Sequence, residues 1–205
     1  MATKFTENSL TVQCKRYRLP VEGHAPCERC GKPHETAEEM FWRVSFGIQE
    51  FYDLMASLDF LPNSPTLFNA GTEQGTNSAC FKFDVADSLL GPGSIMNVAE
   101  KAAGVMKFGG GVGYVFSALR PKGSPISSTH GMACGPVAVL RHYHSVATMI
   151  TQAGKRDAAQ MGILHCRHAD IGEFIHCKDT EEKAKALSTF NISVALTNEF
   201  MVKAT

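Results

Sequence analysis

Three clusters of bend-forming and small residues between Leu61 and Tyr114 constrain the fold more than any other stretch: PNSPTLFNAG (Pro62 to Gly71), SAC (Ser78 to Cys80) and FGGGVGY (Phe108 to Tyr114). Pro62, Pro65 and Gly71 hold a tight, irregular segment, and Asn63, Ser64, Thr66 and Asn69 add short polar side chains that either bind something polar or cap a helix. Cys80 opens CFKFDV, in which Phe81, Phe83 and Val85 alternate; this predicts a strand with one buried face and sets the thiol where a loop enters a sheet. A cysteine there reads either as a small buried apolar residue or as an accessible redox thiol. Gly109 to Gly111 end a helix and, without side chains, also let backbone amides approach a ligand.

Composition excludes more than it selects. Twenty basic and twenty acidic residues balance, so the chain has no bulk electrostatic footprint for nucleic acid or an anionic membrane. No apolar run reaches the ~18 residues of a membrane span and no signal peptide is evident, which gives a cytoplasmic expectation. Seven cysteines at 14, 27, 30, 80, 134, 166 and 177 are an odd set without compact disulfide spacing. In a reducing compartment they read as free thiols, a possible metal pair and a redox residue.

Residues 1 to 35 form a polar segment carrying GHAPCERCGKPH, where Cys27 and Cys30 have the C-x2-C-G spacing of a zinc knuckle and His24 and His34 are available to complete four ligands. An exposed turn is the alternative. TAEE at Thr36 is a capping box, and Phe41, Val44, Ile48, Phe51 and Met55 recur at helical spacing, which predicts one helix to about Ser57. Ser94 caps a second helix with Ile95, Val98, Ala102 and Val105 on one face, leading through the glycines to a strand from Val112 to Ala118. Gly135 and Pro136 start a third helix, striped by Val139, Tyr143, Val146 and Ile150, whose His142 and His144 point to different faces. A loop with Lys155 and Arg156, a strand at MGIL, a short helix from His168 to Ile175 and a strand from Phe190 to Leu196 complete an α/β alternation.

The order of PNSPTLFNAG, SAC, DSL (Asp87 to Leu89), GGGVGYVFSALRPKGSPI, AGKRDAAQMGIL and FNISVALTNEFM resembles the amino-terminal half of a ribonucleotide reductase catalytic subunit, most closely the adenosylcobalamin-dependent class. The resemblance runs from about Phe41 to the end. It implies an amino-terminal helical segment followed, within residues 36 to 205, by an incomplete part of a ten-stranded α/β barrel. It also implies reduction of ribonucleotides by radical chemistry, in which adenosylcobalamin supplies the initiating radical and two cysteines supply the reducing equivalents.

By the same resemblance, Cys80 is the first of that redox pair, and Ser64, Ala79, Cys80 and Gly111 meet the ribonucleotide substrate. Asp87, Ser88, Leu89 and Arg120 hold a deoxynucleoside triphosphate effector, and Lys155, Arg156 and Asp157 lie in the loop that selects the base. Ala153 and Asp157 depart from the family pattern. The implied partners are a carboxy-terminal remainder of the reductase, a second copy in a homodimer and an external dithiol reductant. The Asn-x-Cys-x-Glu pattern of the family's radical site does not occur here, so the chain is expected not to turn over alone. A catalytically inactive nucleotide-binding or assembly fragment, or a reductase of another radical class, is the alternative reading.

Overall fold

The computed structural model describes residues 5–73, 75–150 and 159–204 and divides into two compact units. The first comprises the chain up to Ala79 together with Phe108–Gly110. It is helical, and the expected 35/36 division falls inside it. Helix α1 (Glu7–Arg16) is capped by Thr6, whose hydroxyl accepts from the Ser9 amide, and it buries Gln13 and Cys14. Helix α2 (Ala37–Val44) starts with the expected capping box: Thr36 Oγ1 accepts from the Glu39 amide at 3.1 Å and Glu39 Oε2 from the Thr36 amide at 2.7 Å.

The single helix expected from Thr36 to Ser57 is in fact two. Phe46 (φ 54°) and Gly47 (φ 73°) take left-handed backbone, which breaks the helix before α3 (Gln49–Ala56). The apolar stripe splits accordingly: Phe41, Val44 and Met55 join the core, whereas Ile48 and Phe51 are exposed. The PNSPTLFNAG segment is also a helix, α4 (Ser64–Asn69), with Asn63 Oδ1 accepting from the Thr66 amide at 3.1 Å. Its short polar side chains bond locally, Thr66 Oγ1 donating to the Asn77 carbonyl and Asn69 Nδ2 to that of Thr76, both at 2.7 Å. Beneath them Arg43 donates to both oxygens of the buried Glu35 carboxylate and to the carbonyls of Leu67 and Ala70, which binds α2 to α4. A Cβ on Gly71 (φ 75°) would lie 2.9 Å from Arg43 Cγ, so a side chain there would strain the backbone and displace the arginine.

The second unit carries the sheet. Strands β1 (Cys80–Asp84) and β2 (Gly111–Val115) are joined by α5 (Ile95–Lys107), which Ser94 caps through the Asn97 amide. A small hairpin of β3 (Pro125–Ile126) and β4 (Gly131–Met132) and then α6 (Pro136–Met149) lead on to β5 (Gln160–His165). Helices α7 (Ile171–Ile175) and α8 (Glu181–Lys185) precede β6 (Phe190–Ala195), and α9 (Asn198–Ala204) follows. The four long strands are parallel, in the order β1-β2-β5-β6, and form an open sheet. Parallel strands need covered crossovers, and here α5, α6 and α7 bury Val98, Ala102, Leu140, Tyr143 and Phe174 with Tyr114, Phe116 and Phe190. Gly162 permits this approach, since a Cβ there would sit 3.1 Å from both Leu140 and Phe116. Among the described residues no helix is long and apolar enough to cross a membrane.

Candidate functional site

Because the sheet is parallel, it sorts the candidate residues by its two ends. Cys80 pairs with Gly111 as the first residues of β1 and β2, so thiol and glycine are neighbours at the amino ends of the strands. Cys80 is exposed and unbridged. Ser64 and Ala79 belong to the helical unit, where Ser64 Oγ lies 3.4 Å from the Tyr17 hydroxyl. Lys155, Arg156 and Asp157 lie outside the described residues.

At the carboxyl ends of the same strands, the loops after β1 and β2 converge. Arg120 Nε donates to Asp87 Oδ2 at 2.7 Å, the Arg120 amide donates to Oδ1 at 3.2 Å, and Nη1 reaches the Pro125 carbonyl at 3.1 Å. Both side chains remain about one-third exposed. They stand on the wall of a cavity of about 510 Å³ that Ser88, Leu89, Leu119 and Cys134 also line, a size suited to a small organic ligand. All four expected effector residues thus share one cavity, whose opposite wall is the start of α6. Gly135 (φ 78°) admits the close pass there, because a Cβ would meet Asp170 Oδ2 at 2.8 Å and Lys122 Cβ at 2.9 Å. An apolar pocket with one carboxylate and one guanidinium can take a ligand that carries hydroxyls, an aromatic face and an anionic group. Sequence reasoning missed Cys134 and the β3–β4 hairpin beside it, whose two-residue strands are too short for a periodic signal.

Between the ends runs a buried polar chain. The Tyr114 hydroxyl donates to Gln160 Oε1 at 2.7 Å, Gln160 Nε2 donates to Thr189 Oγ1 at 2.9 Å, and His144 Nδ1 lies 2.8 Å from that same oxygen. Burial, and then the charge of Lys178, hold the His144 imidazole below its ordinary pKa, while burial pushes the Tyr114 and Tyr143 phenols up.

In the helical unit Cys27 and Cys30 come together with His34, as expected, and with Cys14 in the place expected for His24. One ligand atom from each of Cys14, Cys27, Cys30 and His34 lies within 4.8 Å of every other. His24 is outside this group; its ring nitrogens face the His34 carbonyl at 3.1 Å and Glu39 Oε1 at 3.7 Å. Amides of Arg29 and Cys30 directed at the Cys27 sulfur lower its pKa to about 6, and burial raises that of Cys14 to about 11.

Comparison with known proteins fits both units. The all-alpha domain of ribonucleotide reductase matches residues 3–75 and the barrel domain of the same enzymes matches residues 78–205. The chain belongs to the ribonucleotide reductase family. A vitamin B12-dependent ribonucleoside-diphosphate reductase of Thermoplasma acidophilum is 48% identical over 156 residues, covering 76% of this chain and 20% of the relative. One of the same description from Mycobacterium tuberculosis is 38% identical over 207 residues, covering 97% and 29%. The class Id ribonucleotide reductase alpha subunit of Actinobacillus ureae superposes with a TM-score of 0.73 at 22% identity, over 97% of this chain and 35% of that one, which shows the shared fold. The chain therefore spans between a fifth and just over a third of the length of these relatives, and its open sheet is part of a barrel domain.

Proposed function

We propose that this chain supplies the substrate-side thiol and the effector pocket of a ribonucleotide reductase, with Cys80 as one member of the reducing pair. The observation that carries the reading is the exposed Cys80 thiol beside Gly111, at the amino ends of adjacent parallel strands in a chain of this family. The ribose 2′-hydroxyl leaves as water, a hydrogen takes its place, and two thiols become one disulfide, which balances two electrons and two protons. The disulfide is then reduced by an external dithiol. Ser64, the Ala79–Cys80 backbone and Gly111 bind the ribonucleotide, and the loop containing Lys155, Arg156 and Asp157 selects its base. The second thiol belongs to sequence that the longer relatives carry beyond the matched stretch.

The names of the B12-dependent relatives favour adenosylcobalamin as the radical source. No described residue of this chain is assigned to hold it. The Asp87–Arg120 cavity takes a deoxynucleoside triphosphate, the carboxylate accepting from the sugar hydroxyl and the guanidinium pairing with phosphate. Helices α5 and α6, with Met96 and Met149 exposed, form the face against a second copy. The reaction serves deoxyribonucleotide supply for DNA replication in the cytoplasm.

The test is Cys80→Ser in the complete reductase with dithiol, substrate and effector. Multiple turnover is expected to disappear while nucleotide binding is kept. Retained multiple turnover with dithiol would overturn the assignment of Cys80.

A further inference from the structure

We propose that Cys14, Cys27, Cys30 and His34 form a four-coordinate structural zinc site that ties α1 to the turn following it. Three features of the geometry carry this. The first is the turn itself. The Cys27 carbonyl accepts from the Cys30 amide at 3.3 Å and from the Gly31 amide at 2.7 Å, and the Cys27 amide donates to the Lys32 carbonyl at 3.0 Å. Gly31 takes φ 71°, and a bridge between Pro26 and Pro33 closes the base. This fold of C-x2-C-G turns both sulfurs to one side, and amides of Arg29 and Cys30 already point at the Cys27 sulfur.

The second feature is the histidine. Its Nδ1 lies 2.9 Å from the Glu35 carbonyl oxygen, a pure acceptor, so the proton resides on Nδ1 and Nε2 presents a lone pair. That Nε2 is buried and has no hydrogen-bond partner. An orphaned buried nitrogen costs stability unless something accepts its lone pair, and the thiol group is what it faces. A ligating histidine whose other nitrogen is fixed by a carbonyl is the arrangement metal sites use to set the tautomer.

The third feature is size and softness. Zn–S bonds of about 2.3 Å in a tetrahedron put sulfurs ~3.8 Å apart. The four donor atoms, all within 4.8 Å of one another, need to draw in by no more than about this difference of ~1 Å. Three thiolates and an imidazole are a donor set that closes a structural zinc shell and leaves no open position. The bonds that the thiols make, Cys14 Sγ to the Thr11 carbonyl at 3.3 Å and Cys30 Sγ to that of Lys32 at 3.9 Å, are weak ones that metal ligation would readily replace.

The site does structural work in a unit with a small core. Cys14 lies in the last turn of α1, and Glu35, next to His34, holds Arg43 of α2. The metal thus cross-links the ends of an otherwise polar segment, which few buried apolar residues secure.

The test measures metal in the chain purified anaerobically from zinc-supplemented medium. About one zinc per chain is expected, with X-ray absorption giving three sulfur donors and one nitrogen. Cys14→Ser and His34→Ala should lose the zinc to a competing chelator, whereas His24→Ala should keep it. Chelation of the wild-type chain should lower the unfolding temperature followed by fluorescence of Trp42, the chain's single tryptophan. Absence of zinc, iron in its place, fewer than three sulfur donors, or a Cys27–Cys30 disulfide in the anaerobic protein would each overturn the proposal. The absorption measurement on the wild type decides the matter even if the variants fail to fold.

Discussion

Gln160 is the sharpest place to test how the sheet is held, because it is a polar side chain only 2% exposed among aromatic rings. Replacing it with leucine keeps the bulk but removes the acceptor of the Tyr114 hydroxyl, itself fully buried. An abandoned buried hydroxyl costs about 1–3 kcal/mol. Thr189, only partly buried, can turn to water for the donor it loses and adds little. In a chain of this length each kcal/mol moves the unfolding temperature by roughly 2–4 °C, so Gln160→Leu should lower it by about 2–12 °C. Tyr114→Phe strands the Gln160 carbonyl instead and should cost a similar amount. The double variant removes both polar ends, so its cost should fall short of the sum of the singles by about 1 kcal/mol or more. Trp42 reports on the other unit, so the assay is hydrogen exchange at β2 and β5 amides together with circular dichroism. Costs that add to within ~0.3 kcal/mol would refute the coupling, and with it the account of why a glutamine sits there.

Glu35→Ala leaves the largely buried Arg43 guanidinium without its carboxylate and should destabilise the helical unit by about 3–5 kcal/mol in urea unfolding followed by Trp42; a loss below ~1 kcal/mol would contradict this. Arg120→Ala should weaken deoxynucleoside triphosphate binding to the complete reductase ~10-fold or more, from a charge-assisted contact of about 1.5–3 kcal/mol, and unchanged affinity by calorimetry would remove Arg120 from the effector site. His144 has a folded pKa below its unfolded value of about 6.5, so the unfolded chain binds more protons just below that pH. Its contribution is therefore full above pH ~6.5 and is lost as pH falls through the window beneath it. Nuclear magnetic resonance titration of its ring should give a midpoint below about 6.5, and a midpoint at or above that value would overturn the assignment.

Local signals in the sequence were sufficient where one short stretch determines its own shape. The Thr36 capping box, the Gly135–Pro136 start of α6 and the strand expected from Phe190 to Leu196, observed as Phe190–Ala195, each appear where expected, because caps and strand signals act within a few residues. The stripe through Phe41 and Met55 misled because periodicity continues in register across Phe46–Gly47, and only their left-handed backbone reveals the break. PNSPTLFNAG hid a helix for a related reason: its prolines lie at the start, where a helix tolerates them, and its polar residues are caps. The thiol cluster was half legible. C-x2-C is a local pattern, but Cys14 joins it only through the packing of α1, and no spacing rule links a helix cysteine to a turn so far along the chain. Likewise, Asp87 and Arg120 meet because two loops emerge at the same end of adjacent strands, a long-range contact that spacing does not reveal and only the resemblance to a family grouped.

That arrangement also limits how the two proposed nucleotide sites can communicate. The four steps from Cys80 to Asp84 rise about 13 Å along β1, with β2 in register beside it, so the thiol end and the Asp87–Arg120 end are separated by the full length of the strands. A ligand at one end cannot touch the residues at the other. Strands packed under Tyr114, Phe116 and Tyr143 in a close-packed core are poor candidates for large displacement, since their aromatic contacts would have to be remade. Under the proposed function, coupling between the two sites would pass through a connection that reaches both ends of the sheet. The polypeptide from α6 to β5 is such a connection: α6 begins at the wall of the Asp87–Arg120 cavity, and β5 begins at Gln160, paired with Val112 next to Gly111. Gln160, the first residue of β5, is anchored there by the Tyr114 hydroxyl and by Thr189.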